Sequence, residues 1–132
     1  MVDRQVTQDF PKEWIEAWNR GELERVLAHF SDDFDVWAPA IYQVTGESRG
    51  VLRGKAALAA HWERIRKLIP DVRFELVSTL ATAAGITVYY KGVGGKLAAE
   101  TFYFDGNCKI CKVISMLGGF LSIGRRYEKQ AS

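Results

Sequence analysis

The most constraining feature of this chain is the regular punctuation of its C-terminal half. Arg73 to Thr82 alternates apolar and polar residues, and Ala83-Ala84-Gly85 turns the chain. Ile86 to Lys91 reads as a strand, and Gly92-Val93-Gly94-Gly95 turns it again. Lys96 to Phe104 is the next strand, Asp105-Gly106-Asn107 a hairpin turn, and Ile110 to Leu117 the last strand before Gly118-Gly119. Period-two runs separated by Gly and Asp-Gly signals specify an antiparallel meander.

The N-terminal part has the other period. Trp14, Ile15 and Trp18 recur at helical spacing after Pro11, which a first helical turn tolerates. Leu23, Val26, Leu27 and Phe30 continue beyond Gly21 as a second, shorter helix. Ser31-Asp32-Asp33 breaks it, and Phe34 to Trp37 is a short strand ending at Pro39. Ala40 to Arg53 has no clean period and reads as a loop, with an irregular strand through Ile41, Tyr42 and Val44 as the alternative. Gly54 to Leu68 is a third helix, with Leu58, Trp62, Ile65 and Ile69 on one face. Helices and strands are segregated rather than alternating, so the class is α+β. A length of 132 residues fits a single domain over 1–132, with a core at about 10–118 and a tail at 119–132.

Charge narrows the partners. Eighteen basic and sixteen acidic residues leave a net charge of +2. Arg125 to Ser132 alone accounts for that excess, so the remainder is neutral and lacks the strongly basic face of a nucleic-acid binder. No stretch approaches the ~18 apolar residues of a membrane span. The first ten residues show no apolar signal segment. Cys108 and Cys111 alone make no disulfide framework, so a reducing, cytoplasmic setting is expected.

Four stretches, taken in order, resemble the nuclear transport factor 2-like superfamily, in its SnoaL-like and ketosteroid-isomerase-like branch. They are Trp14-Ile-Glu-Ala-Trp-Asn-Arg-Gly-Glu-Leu, His29-Phe-Ser-Asp-Asp-Phe, Arg49-Gly-Val-Leu-Arg-Gly-Lys and Glu100-Thr-Phe-Tyr-Phe-Asp-Gly. The resemblance covers about residues 10–118. It implies a cone, a cystatin-like α+β barrel in which a curved antiparallel sheet wraps a cavity closed by three N-terminal helices. Such folds host isomerases, dehydratases, cyclases, epoxide hydrolases and non-catalytic dimer modules, so fold alone names no reaction.

The family's catalytic positions can be compared one at a time. The general base, an Asp before a Pro at the end of the first strand, falls on Ala38, which accepts no proton. Asp35 is three residues away and belongs to the opposite strand face. The phenol donor of the first helix falls on Trp14, whose indole N–H only donates. The acidic oxyanion donor falls on Glu100, which shares a strand face with Phe102 and Phe104. Desolvation there raises a carboxyl pKa, and ketosteroid isomerase is the known case of a carboxylic acid held neutral in such a site. The bland alternative is an outward Glu100, or one paired with a buried cation.

His61, at the border of the third helix's apolar face, is the second catalytic candidate; the bland alternative is a boundary residue on solvent. His29, at a helix end, is a weaker one. Trp14, Trp18, Tyr42, Phe102 and Met116 are expected to line a ligand cavity. No third residue stands at metal spacing with either His, and the solitary Cys108-Cys111 pair lacks the second half of a zinc site; no metal and no cofactor are expected. The expected protein is a homodimer that binds a small apolar or aromatic molecule. It is either a cofactor-independent isomerase, dehydratase or cyclase without the usual Asp base, or a non-catalytic binding module. The outer strand face carrying Val77, Tyr89, Thr101 and Tyr103 is the expected dimer surface.

Overall fold

The computed structural model describes residues 4–46 and 48–118. The sequence's expected tail, 119–132, lies outside them. The elements run α1 (Arg4–Arg20), α2 (Leu23–Leu27), β1 (Phe30–Trp37), α3 (Pro39–Thr45), β2 (Val51–Arg53), α4 (Lys55–Leu68), β3 (Glu75–Ala81), β4 (Gly85–Lys91), a 3₁₀ turn (Val93–Gly95), β5 (Leu97–Phe104) and β6 (Ile110–Leu117). The strands form one curved, unclosed sheet in the order β2-β1-β6-β5-β4-β3. All pairings are antiparallel except β1 with β6. The α+β class and the antiparallel meander are therefore as the sequence implies.

Three elements depart from the sequence reading. α1 begins seven residues before Pro11 rather than at it. Proline removes one helical hydrogen bond, but Phe10 is fully buried and Val6 packs on the core, so the turns before the proline are held by tertiary contacts. Phe30 belongs to β1 and not to the second helix, because its strand pairs with Ile110, whose N–H donates to the His29 carbonyl at 2.7 Å. Ala40 to Arg53 holds α3 and β2 instead of a loop. Pro39 at the first helical position and Gly46 at φ 77 beyond the last are start and stop signals for a short helix. Gly50 then runs at φ 66 against Ala38, where a Cβ would meet the Ala38 carbonyl at 2.9 Å.

Strand parity divides the sheet into two faces. Ile86, Val88 and Tyr90 of β4, Ala98, Phe102 and Phe104 of β5, and Val113 of β6 point inward and are buried. Register irregularities at Leu76/Ser78, Tyr103/Phe104 and Phe30/Asp35 interrupt the ladders, and bulges of this kind bend strands and strengthen twist. The curvature leaves a concave inner face. α1 crosses it with Phe10 and Trp14, edge-on to Phe102 at 4.9 and 5.5 Å. α4 adds Leu58, Trp62 and Ile65, all buried as their spacing predicts. Asn19 ties α1 to the sheet by accepting from the Phe74 N–H and donating to its carbonyl.

Candidate functional site

Helices and sheet do not meet completely. Between them lies a cavity of about 110 Å³. The sheet wall contributes Tyr90, Glu100, Phe102 and Ser115; the helical wall contributes Trp14 and Trp18 from α1 and His61 and Trp62 from α4. Trp18 and Trp62 stack with ring centroids 3.8 Å apart and planes 17° apart, making a flat aromatic panel. An apolar cavity of roughly 150 Å³ accepts benzene, so this one suits a compound of about one ring.

Glu100 is the carboxylate in that lining. Its register explains its position: it sits in the inward row of β5 between Ala98 and Phe102, opposite Ser115 on β6 and Val88 on β4. The Ser115 hydroxyl donates to Glu100 Oε1 at 2.6 Å, and the Tyr90 hydroxyl donates to the same oxygen at 3.1 Å. No described Lys or Arg forms an ion pair with Glu100, so the paired-cation alternative gains no support. Burial pushes its pKa up to about 7, against the opposing pull of the Ser115 and Tyr90 hydrogen bonds. The group is thus divided between acid and carboxylate near neutral pH. Because both donors take Oε1, a proton on this carboxyl belongs on Oε2.

His61 also lines the cavity, as expected from its helix position. Burial first, and the nearby Arg64 charge second, lower its pKa to about 4, so the imidazole is neutral at pH 7. Its Nδ1 is buried without a hydrogen-bond partner among the described residues, and so is Trp62 Nε1. Ala38 lines the same cavity. The position that the family resemblance reserves for a base is therefore inside, and it carries only a methyl group. Asp35 faces the other way, where its carboxylate accepts from the Trp37 indole and lies 3.8 Å from Lys112 Nζ.

Five of the seven expected site residues, Glu100, His61, Trp14, Trp18 and Phe102, come together around the cavity. Two do not. Met116 is about half exposed on the outer sheet face, paired with Ala99, one position out of phase with inward Ser115. Tyr42 is also half exposed, because helical α3 turns it toward a separate open groove beside Trp37 and Arg49. His29 lies elsewhere too, with its Nε2 3.1 Å from a Glu13 oxygen. Cys108 and Cys111 are free thiols. The sequence reading missed Tyr90 and Ser115, although parity was enough to find them: Tyr90 follows outward Tyr89, and Ser115 faces Glu100 across β5 and β6.

Residues 12–106 match the SnoaL-like domain. The chain belongs to the SnoaL-like family. A SnoaL-like protein of unknown function from Burkholderia thailandensis is similar at 36% identity and a TM-score of 0.83, over 89% of this chain and 98% of its own. A nuclear transport factor 2-like protein of unknown function from Burkholderia pseudomallei shares the fold at 18% identity and a TM-score of 0.71, over 88% of this chain and 92% of its own. So does an epoxide hydrolase/cyclase-like enzyme of pyran ring formation in the polyether salinomycin, at 16% identity and a TM-score of 0.66, over 90% of this chain and 95% of its own. Nothing among curated proteins matches the chain. No helix among the described residues is long and apolar enough to cross a membrane.

Proposed function

We propose that this SnoaL-like protein carries out acid–base chemistry on a small, mostly apolar cyclic compound, of the isomerase, dehydratase or cyclase kind and without a cofactor. The observation that carries the reading is Glu100: a cavity-lining carboxyl, held through one oxygen by two hydroxyls, with its pKa near 7. A general acid or base works best when its pKa lies near the working pH. The usual ketosteroid isomerase arrangement is not proposed, because Ala38 supplies no base. In a 1,3-proton shift, Glu100 as carboxylate takes a proton from carbon through Oε2. The same proton then returns from the carboxylic acid to a second carbon of the substrate, so charge and atoms balance on a single residue.

The rival reading is a binding module that kept the cavity and lost the base, and the methyl of Ala38 favours it. A panel of one-ring β,γ-enones and β-hydroxy ketones, followed by NMR in D₂O, separates the two. Turnover or exchange by the parent, abolished in Glu100→Gln while binding persists, supports the enzyme. Equal turnover by parent and variant, or binding with no turnover by either, overturns it.

Two accompanying features belong to the same reading. The protein is a C2 homodimer through the outer sheet face, where Val77, Leu97, Tyr103 and Met116 stand exposed. Its setting is cytoplasmic, in keeping with two free thiols.

A further inference from the structure

The open groove that Tyr42 faces adjoins the cavity. Ala38 and Ser115 belong to the linings of both, and both residues are partly exposed. They mark the seam where β1 ends and α3 begins. β1 last pairs with β6 at Trp37 and Ile114. Ala38 turns instead to Gly50, donating its N–H to the Gly50 carbonyl at 2.8 Å. The residues at the seam are small. Ala38 carries a methyl, and a Cβ at Gly50 would stand 2.9 Å from the Ala38 carbonyl and 3.9 Å from Tyr42 Cβ. Ser115 is the residue whose hydroxyl donates to Glu100 at 2.6 Å, so the seam lies one side chain from the carboxyl.

The groove differs from the cavity in size and chemistry. Its space is about 420 Å³, against about 110 Å³ in the cavity. Trp37 gives it a fixed aromatic wall, because the indole N–H donates to Asp35 and Lys112 Nζ lies 5.5 Å from the ring centroid. Tyr42 adds a half-exposed ring, and Arg49 is the charged residue among the groove's described lining. A guanidinium presents a fork of donors that matches a carboxylate. We infer that cavity and groove form one two-part site for a cyclic compound bearing a short chain that ends in a carboxylate. The ring occupies the cavity, the chain passes between Ala38 and Ser115, and the carboxylate meets Arg49 beside Trp37 and Tyr42. Ala38 is then a specificity-determining residue, since its methyl leaves room that a longer side chain would fill. The inference rests on the reading of the cavity as a ligand site. It does not depend on whether Glu100 turns the ligand over.

Cyclohexylbutanoate, cyclohexylbutanamide and cyclohexanone test it: a ring with an anionic chain, the same ring with an uncharged chain, and a ring alone. Binding is read in ¹H–¹⁵N spectra from the indole N–H signals of Trp18 in the cavity wall and Trp37 in the groove wall. Each is assigned by its disappearance in the corresponding Phe variant. Cyclohexanone should move the Trp18 signal alone. The acid should move both with a single dissociation constant, and should bind the parent about fivefold more tightly than the amide, the upper worth of an exposed ion pair. Arg49→Gln, an exposed position, should erase that preference and leave the amide's affinity unchanged. Ala38→Leu should silence the Trp37 response to the acid. An acid that moves Trp18 but not Trp37 overturns the two-part site while leaving the cavity as a ligand site. So does an acid whose two signals titrate with different constants. Equal affinities of acid and amide, or an Arg49→Gln change that weakens both alike, overturn the carboxylate contact. Failure of all three compounds to bind at millimolar concentration overturns the inference together with the ligand-site reading. The parent and Arg49→Gln spectra decide the matter should Ala38→Leu not fold.

Discussion

Glu100→Gln should make the fold more stable at alkaline pH and hardly alter it at acid pH. In the folded chain the carboxyl titrates at about 7, against 4.5 for the unperturbed group. Each unit of difference is worth about 1.4 kcal/mol. Ionising Glu100 inside the cavity therefore costs the fold about 3 kcal/mol once the pH is well above 7. Between those two values the folded chain retains a proton that the unfolded chain has released, so stability falls as pH rises through the window. Below 4.5 both states are protonated and the penalty is gone. His61 acts in the opposite sense, because burial lowers it from 6.5 to about 4. As pH falls through that range the unfolded chain gains a proton that the folded chain refuses, and stability falls with it. The two slopes nearly cancel where they overlap, so the parent's own profile conceals both. The difference between variant and parent isolates Glu100. Glutamine keeps the shape, and its amide oxygen still accepts from Ser115 and Tyr90. Urea unfolding at pH 5 and pH 8 should show the variant's advantage growing by roughly 2–3 kcal/mol. An advantage that stays constant with pH would refute the desolvated carboxyl. A variant several kcal/mol weaker at pH 8 would mean that Glu100 is held by a cation.

Three other outcomes are expected. Ser115→Ala removes a hydrogen bond that favours the carboxylate, so the Glu100 pKa should rise further; a ¹³C carboxyl titration that moved downward would contradict this. Phe102→Ala, at a fully buried position against Phe10 and Trp14, should cost about 3–5 kcal/mol in urea unfolding; a loss below 1 kcal/mol would show that the rings around it collapse into the gap. Met116→Asp, on the outer face, should convert the proposed dimer to monomer in light scattering at micromolar concentration; an unchanged dimer mass would move the interface elsewhere, and a monomeric parent would remove it.

The meander was legible because strand parity and Gly-rich turns are local signals. The same parity placed Glu100 with Phe102 and Phe104 and turned Asp35 away from the cavity. Parity also argued against Met116, since Ser115 and Met116 cannot share a face. α3 was harder to read. Its seven residues span barely two turns, too few for a helical period to stand out, and its signals are only Pro39 at the start and Gly46 at the stop. The early start of α1 was hidden by Pro11, whose local cost is outweighed by burial of Phe10. The parallel β1–β6 pairing joins strands separated by most of the chain, and no local pattern announces it. Nor can spacing show an absent partner: that Trp62 Nε1 and His61 Nδ1 go unpaired follows from packing in three dimensions.

What remains in the cavity restricts the chemistry as much as what is lost from it. A separate acid and base need two groups with pKa values pushed apart across the working pH. Here Ala38 holds a methyl where the resemblance expects a carboxylate, and His61 is neutral until about pH 4. In the proposed chemistry Glu100, the carboxyl among the described lining residues, serves both proton steps. Sequential transfer through a single Oε2 suits isomerisation or elimination, in which a proton leaves one atom of the substrate and a proton is delivered to another. Hydrolysis with water activation and leaving-group protonation in one step needs a second proton-transfer group; Ala38 supplies none, and neutral His61 offers only a weak base. The likeness to an epoxide hydrolase/cyclase-like enzyme is at 16% identity and extends to the fold alone. The proposed proton shift asks only Glu100 of this chain's own cavity.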